Sequence, residues 1–172
     1  NSQQPDNAGS TIVFIDGAVC DAATLAAAVP PGAEIVMLDQ SRDGMEQIAS
    51  YLTGRVDVAA IHIVSHGDSG ELRLGSTQLG LASIAGEHAD DLQIIAAAMR
   101  ESGDILLYGC DVAAGADGVA FVNALAAATG ADVAASAESR VLDGRRVCWF
   151  RIEGGKHHGA IGIAGGETIA RA

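Results

Sequence analysis

Two hydrophobic periods alternate along the chain. The first is seen in short apolar runs bounded by glycine or polar residues: TIVFID (11–16), AEIVMLD (33–39), VAAIHIVS (58–65), DILLYG (104–109), ADVAAS (131–136) and RRVCWFRI (145–152). Runs of this length, mostly β-branched or aliphatic, predict six strands. Between them lie segments whose apolar residues return at helical spacing: DAATLAAAV (21–29), SRDGMEQIASYLTG (41–54), DDLQIIAAAMRESG (90–103) and DGVAFVNALAAATG (117–130). Asp21 is a start signal for the first of these, Pro30, Pro31 and Gly32 end it, and Gly54 ends the second. GELRLGSTQLG (70–80) has leucines alternating on both sides of Gly75-Ser76 and predicts a hairpin.

Near-continuous apolar strands separated by helices imply a mainly parallel sheet covered on both faces. The expected fold is a three-layer α/β/α domain with a six-stranded, mostly parallel sheet. No repeat or break in composition divides residues 1–172, so one domain is expected. Residues 1–10 form a loose polar arm, and 153–172 a glycine-rich C-terminal segment, in this reading.

Composition narrows the classes of function. Hydrophobic residues make up 49% of the 172 positions, enough for a real core. The net charge is −12, from 22 acidic and 10 basic residues. That balance disfavours nucleic acid, whose phosphates are met by lysine and arginine, and it disfavours anionic membranes. No apolar run approaches 18 residues and none resembles a signal peptide, so no membrane insertion is expected and any targeting signal would lie outside this chain. Three cysteines, Cys20, Cys110 and Cys148, make neither a disulfide framework nor a C-x-x-C zinc site. No cofactor and no metal is expected. IDGAVCD lacks the G-x-G-x-x-G pattern of a dinucleotide loop. GCDVAAGADG lacks the alternating acids of a calcium loop.

In open α/β sheets, ligands bind beyond the carboxyl ends of the strands. This rule singles out Asp16, Asp39, His66, Gly67, Cys110, Asp111 and Ser136. His66 follows the third strand and Cys110 the fourth. If those strands are neighbours, a thiolate nucleophile and an imidazole base emerge at one edge. Gly67 and Gly109 let a substrate approach the backbone, and the amides of Gly67 and Cys110 are candidates for an oxyanion hole. Each residue alone has a plainer reading, Cys110 as a small core residue and His66 as a turn residue. Asp16 is open between three roles: orienting His66, lining a pocket, or serving as a loop acid. Asp111 is expected to point away from the thiol and cap the following helix. His62 and His66 share an H-x-x-x-H spacing, but on a strand that spans roughly 13 Å, too far for one metal ion. His62 is therefore expected to be a core or helix-facing histidine, and His157 and His158 a solvated pair. Cys148 is expected to be a packed strand thiol, and Cys20 has no assigned role.

A strand ending in SHG followed by one ending in YGC resembles the caspase–gingipain–legumain superfamily of cysteine peptidases. The ordered set IVFID, HIVSHG, LRLG, ILLYGCDVA and ADVAAS is also similar to a bacterial domain-of-unknown-function family near the N-termini of very large secreted adhesins and repeat proteins. The likeness covers roughly residues 11–152. It implies a caspase-like sheet, His66 as general base and acid, and Cys110 as nucleophile. It maps Asp16 and Tyr108 to the pocket for the residue before the scissile bond, with Ser136 at the same edge, and an acid there implies a preference for arginine or lysine. Gly109 stands where many relatives carry alanine or serine. The implied activity is a cysteine endopeptidase acting on a polypeptide substrate, in cis on its own large secreted polypeptide or on a neighbour, outside the cell or at its surface. The alternative is a catalytically silent module of the same fold, used for peptide binding or assembly.

Overall fold

The computed structural model describes residues 9–20, 22–29, 31–142 and 145–152. The first half holds β1 (Ser10–Asp16), α1 (Ala22–Ala28), β2 (Glu34–Leu38), α2 (Gly44–Leu52), β3 (Val58–Val64), β4 (His66–Asp68), β5 (Glu71–Leu74) and β6 (Thr77–Gly80). The second holds α3 (Leu81–Ala85), α4 (Ala89–Ala98), β7 (Met99–Tyr108), α5 (Gly115–Thr129), β8 (Asp132–Leu142) and β9 (Arg145–Ile152).

Five parallel strands form the main sheet in the order β2-β1-β3-β7-β8, and β9 pairs antiparallel with β8 at the edge. A second, small antiparallel sheet has the order β4-β5-β6. Successive residues of a strand face opposite sides, and β1 shows the consequence. Ile12 and Phe14 face a core shared with Met45, Ile48 and Leu52 of α2, Leu92 and Ile95 of α4, and Phe121 and Leu125 of α5. Val13 and Ile15 face the other way, against Val64, Leu106 and Tyr108, with Leu25 and Ala26 of α1 packed on them. Phe14 and Phe121 are fully enclosed. Apolar residues on both faces of the central strands explain why these strands read as unbroken hydrophobic runs.

Helix ends follow local chemistry. Asp43 Oδ1 accepts from the amides of Met45 (2.8 Å) and Glu46 (3.0 Å), capping α2. Gly130 adopts φ +68 and its amide donates to the Ala126 carbonyl at 2.8 Å, closing α5.

Four expectations need correction. The helix expected over 90–103 ends at Ala98, and Met99–Gly103 already belongs to β7. The polar Arg100-Glu101-Ser102 stretch cannot continue the buried helical face. It forms instead an irregular lead-in, where the pairing with β3 shifts between Val58 and Ala60. β3 stops at Val64, and His66 opens a new strand, β4, in the small sheet. β8 does not end at Ser136 but runs to Leu142, drawn out by its pairing with β9. The N-cap position of α5 is occupied by Ala114 rather than Asp111, whose carbonyl accepts from the Ala114 amide at 2.9 Å. The arm over 1–8, the segment 153–172 and the His157–His158 pair lie outside the described residues, as does the side chain of Cys148. Among the described residues, no helix is long and apolar enough to cross a membrane.

Candidate functional site

The connection from β1 through β2 leads to one side of β1, and β3 lies on the other. The crevice between β1 and β3 is thus the switch point of the sheet, where ligands of open α/β folds bind. Asp16 ends β1, His66 follows β3, and Cys110 follows β7. β3 and β7 are hydrogen-bonded neighbours with Val64 opposite Tyr108, so His66 and Cys110 leave the sheet at the same carboxyl edge.

The two segments are fastened to each other. The Ser65 amide donates to the Tyr108 carbonyl at 3.2 Å, and the Gly70 amide to the Val112 carbonyl at 3.0 Å. Ser69 Oγ donates to the Ala114 carbonyl at 2.6 Å. Val112 and Ala113 are buried and anchor the turn after Cys110 in the core. The glycines let the backbones meet. A Cβ on Gly67 would sit 2.3 Å from Val112 Cγ2 and 3.2 Å from the Cys110 carbonyl. A Cβ on Gly109 would sit 3.2 Å from the Gly67 nitrogen. Asp111 adopts φ +58, a left-handed conformation that aspartate tolerates better than most residues. It turns the chain sharply just after the cysteine. Cys110 is partly exposed and His66 exposed.

His66 Nε2 lies 3.2 Å from the Ala18 carbonyl. A carbonyl only accepts, so Nε2 carries the proton in this contact and Nδ1 is left as the basic nitrogen. Asp16 is 2% exposed, and its carboxylate is held by backbone amides: Oδ1 accepts from Ala18 at 2.8 Å, and Oδ2 from Gly75 at 2.6 Å. Both oxygens of Asp16 thus brace backbone segments. The carboxylate binds the turn that carries Ala18.

Tyr108 belongs to the apolar cluster between the sheet and α1. It is buried, and its hydroxyl lies 2.9 Å from His62 Nδ1, with the two rings stacked at 5.7 Å. Both sit on the sheet face covered by α1. Ser136 lies within β8 opposite Phe150, next to a shift of register, rather than at a strand end. Cys20 is an exposed thiol in the β1–α1 connection.

His62 is the core histidine that its strand position implies. Burial pushes its pKa down from about 6.5 to about 4. The unfolded chain therefore binds more protons than the folded one between those values. The stability gained from neutral, buried His62 is fully present above pH 6.5 and is lost as pH falls toward 4. The gap corresponds to about 3 kcal/mol. Urea unfolding from pH 7.5 to 4.5 checks this. The stability difference between wild type and His62→Phe should shrink or reverse in favour of the variant as pH falls. A difference constant with pH would contradict it.

Among the described residues, Asp43, Glu87 and His88 place one possible metal ligand each within 4.8 Å of one another. Internal partners account for much of this cluster. His88 Nδ1 faces Asp91 Oδ2 at 3.1 Å, His88 Nε2 faces Thr77 Oγ1 at 3.2 Å, and Asp43 caps α2. The arrangement ties α2, α4 and β6 together.

Three residues that shape this edge, Ala18, Val112 and Gly75, are not singled out by the sequence as site residues, and only the glycine carries a signal, as the turn of a predicted hairpin. An alanine carbonyl and a buried valine in a turn have no signature along the chain.

The fold defines an α/β domain with a mostly parallel sheet in which a histidine and a cysteine follow neighbouring strands at the carboxyl edge. Residues 12–141 match the family described as domain of unknown function (DUF4347), and the chain belongs to that family. A comparison with curated proteins finds no match.

Proposed function

We propose that the domain is a cysteine endopeptidase of caspase-like type, with Cys110 as nucleophile and His66 as general base and acid. The observation that carries the reading is the placement of these residues after neighbouring parallel strands, with Gly67 and Gly109 packed against each other's segments. In this reading the Cys110 sulfur adds to the scissile carbonyl and its proton passes to Nδ1 of His66. The imidazolium then protonates the leaving amine, and a thioester remains on Cys110. Water attacks the thioester, His66 takes its proton, and the acid product leaves with the thiol restored. The amides of Gly67 and Cys110 stabilise the oxyanion at each addition. The three-layer caspase-like architecture and a role in trimming the chain's own secreted polypeptide, or a neighbour, belong to the same proposal. Its support is the sequence resemblance and the two covered sheet faces.

A peptidyl acyloxymethyl ketone tests the assignment. Labelling mapped by mass spectrometry should fall on Cys110 and drop at least about a hundredfold in His66→Ala, the range of a lost general base. Equal labelling of Cys20 and Cys110, or labelling indifferent to His66, would leave a silent peptide-binding module as the better description.

A further inference from the structure

Asp16, at the carboxyl edge of the sheet, is a buried carboxylate at 2% exposure. A carboxylate taken out of water is costly unless hydrogen bonds replace the lost hydration. Here two backbone amides do so, and they come from different parts of the fold. The Ala18 amide lies two residues on, inside the turn that follows β1. The Gly75 amide lies 59 residues on, at the tip of the β5–β6 hairpin. The turn is held by two further bonds: the Val19 amide to the Asp16 carbonyl at 3.1 Å, and the Gly17 amide to the Leu38 carbonyl at 3.0 Å. Its exposed product is the Ala18 carbonyl, which faces His66 Nε2 at 3.2 Å.

The hairpin tip is fixed just as firmly. Gly75 adopts φ +59, and a Cβ there would lie 2.0 Å from the Arg42 carbonyl. The Ser76 amide donates to that same carbonyl at 2.9 Å. The hairpin also reaches His66 directly, because Arg73 of β5 pairs with His66 of β4. Asp16 thus joins the two supports of the imidazole: the small sheet that carries its backbone, and the turn whose carbonyl receives its Nε2 proton.

We infer that Asp16 is a positioning residue for His66, acting through the turn that presents the Ala18 carbonyl. It sets the ring's orientation and tautomer and does not meet the substrate. The inference deepens the peptidase reading and rests on it for its kinetic consequence. Its structural consequence is independent of whether peptides are cleaved. With the turn fixed, His66 holds its proton on Nε2 and keeps Nδ1 for proton transfer. With the turn slack, the ring loses its acceptor, exchanges tautomers, and presents the wrong nitrogen for part of the time. Misplacing a catalytic group by about 1 Å costs on the order of a hundredfold in rate.

Two variants separate the parts. Asp16→Ala removes both acceptors. Asp16→Ser keeps one short acceptor within reach of the Ala18 amide, as serine does in turns of this kind, and gives up Gly75. Nitrogen NMR of the His66 ring above pH 8 is the first readout, with circular dichroism to confirm folding. The second is kcat and KM for two peptides, one with arginine and one with a neutral residue before the scissile bond. The wild-type ring should be the single Nε2–H tautomer. Asp16→Ala should show mixed tautomers, and kcat should fall about 10- to 100-fold for both peptides alike, with KM within about threefold. Asp16→Ser should hold the wild-type tautomer and recover most of the rate. An unchanged ring in folded Asp16→Ala overturns the inference, and so does a loss confined to the arginine peptide. If Asp16→Ala does not fold, Asp16→Ser decides, and mixed tautomers in that folded variant overturn the inference. If wild type cleaves neither peptide, the peptidase reading fails and the ring spectra alone still decide the role of Asp16.

Discussion

Cys110→Ala is expected to lower peptide hydrolysis by on the order of 10³-fold or more, while the thermal midpoint stays close to that of wild type. The kinetic part follows from covalent catalysis: without the sulfur no thioester forms, and a residual rate can come only from binding and the oxyanion amides. The stability part follows from position. Cys110 is partly exposed in a turn, and the neighbouring Val112 and Ala113, both buried, hold that turn in the core. Trimming one sulfur there removes little packing, and such substitutions usually stay within about 0.5 kcal/mol. Cys20→Ala, at an exposed thiol, should leave both quantities unchanged and serves as the control. Equal hydrolysis by wild type and Cys110→Ala would rule out the mechanism.

Gly67→Ala is expected to cost about 1–3 kcal/mol, the range for overpacking a well-filled site, and to suppress hydrolysis as well. Its new Cβ would lie 2.3 Å from Val112 Cγ2, well inside contact distance, and near the carbonyls of Cys110 and Glu71. Relief requires the segment carrying His66 to move away from the turn carrying Cys110. That separates the two groups on which the proposed chemistry depends. The cause can be isolated with Val112→Ala, which removes the methyl group that the new Cβ strikes. Urea unfolding of the two single variants and the double variant gives the coupling energy. The double variant should be less destabilised than the sum of the singles, by about 1 kcal/mol or more, as for residues in direct contact. Additive costs would show that Gly67 and Val112 do not meet as described.

The sheet was legible because its strands are buried on both faces, so Ile12 through Ile15 or Ile105 through Leu107 read as unbroken apolar runs whatever their partners. The edge of the site was legible for the same reason. A run that stops fixes where the chain leaves the sheet, and His66 and Cys110 both follow such stops. Side-chain direction at those stops was not legible. Asp16 and Tyr108 sit at the edge as expected, yet Asp16 turns toward two backbone amides and Tyr108 toward His62. Each choice is set by partners distant in sequence, 59 residues for Gly75 and 46 for His62. The short β4 strand leaves no mark in the sequence because three residues carry no period, and its pairing depends on the β5 hairpin beside it. The apolar spacing of Leu92, Ile95 and Ala98 runs up to Met99 and carries a helical pattern into Met99–Gly103. What ends the helix there is the pairing of Met99 with Val58 across the sheet.

A crystal structure of the chain treated with a peptide aldehyde shows whether Cys110, His66 and the Gly67 amide act on one carbonyl, as proposed. The aldehyde carbon and the Cys110 sulfur should be joined as a thiohemiacetal. Its oxygen should lie within about 3.1 Å of the Gly67 and Cys110 amide nitrogens, the distance such donors hold in working oxyanion holes. The His66 ring should stand beside the new centre with Nε2 still on the Ala18 carbonyl. An adduct on Cys20, or one on Cys110 with its oxygen in solvent and His66 turned away, would contradict the account.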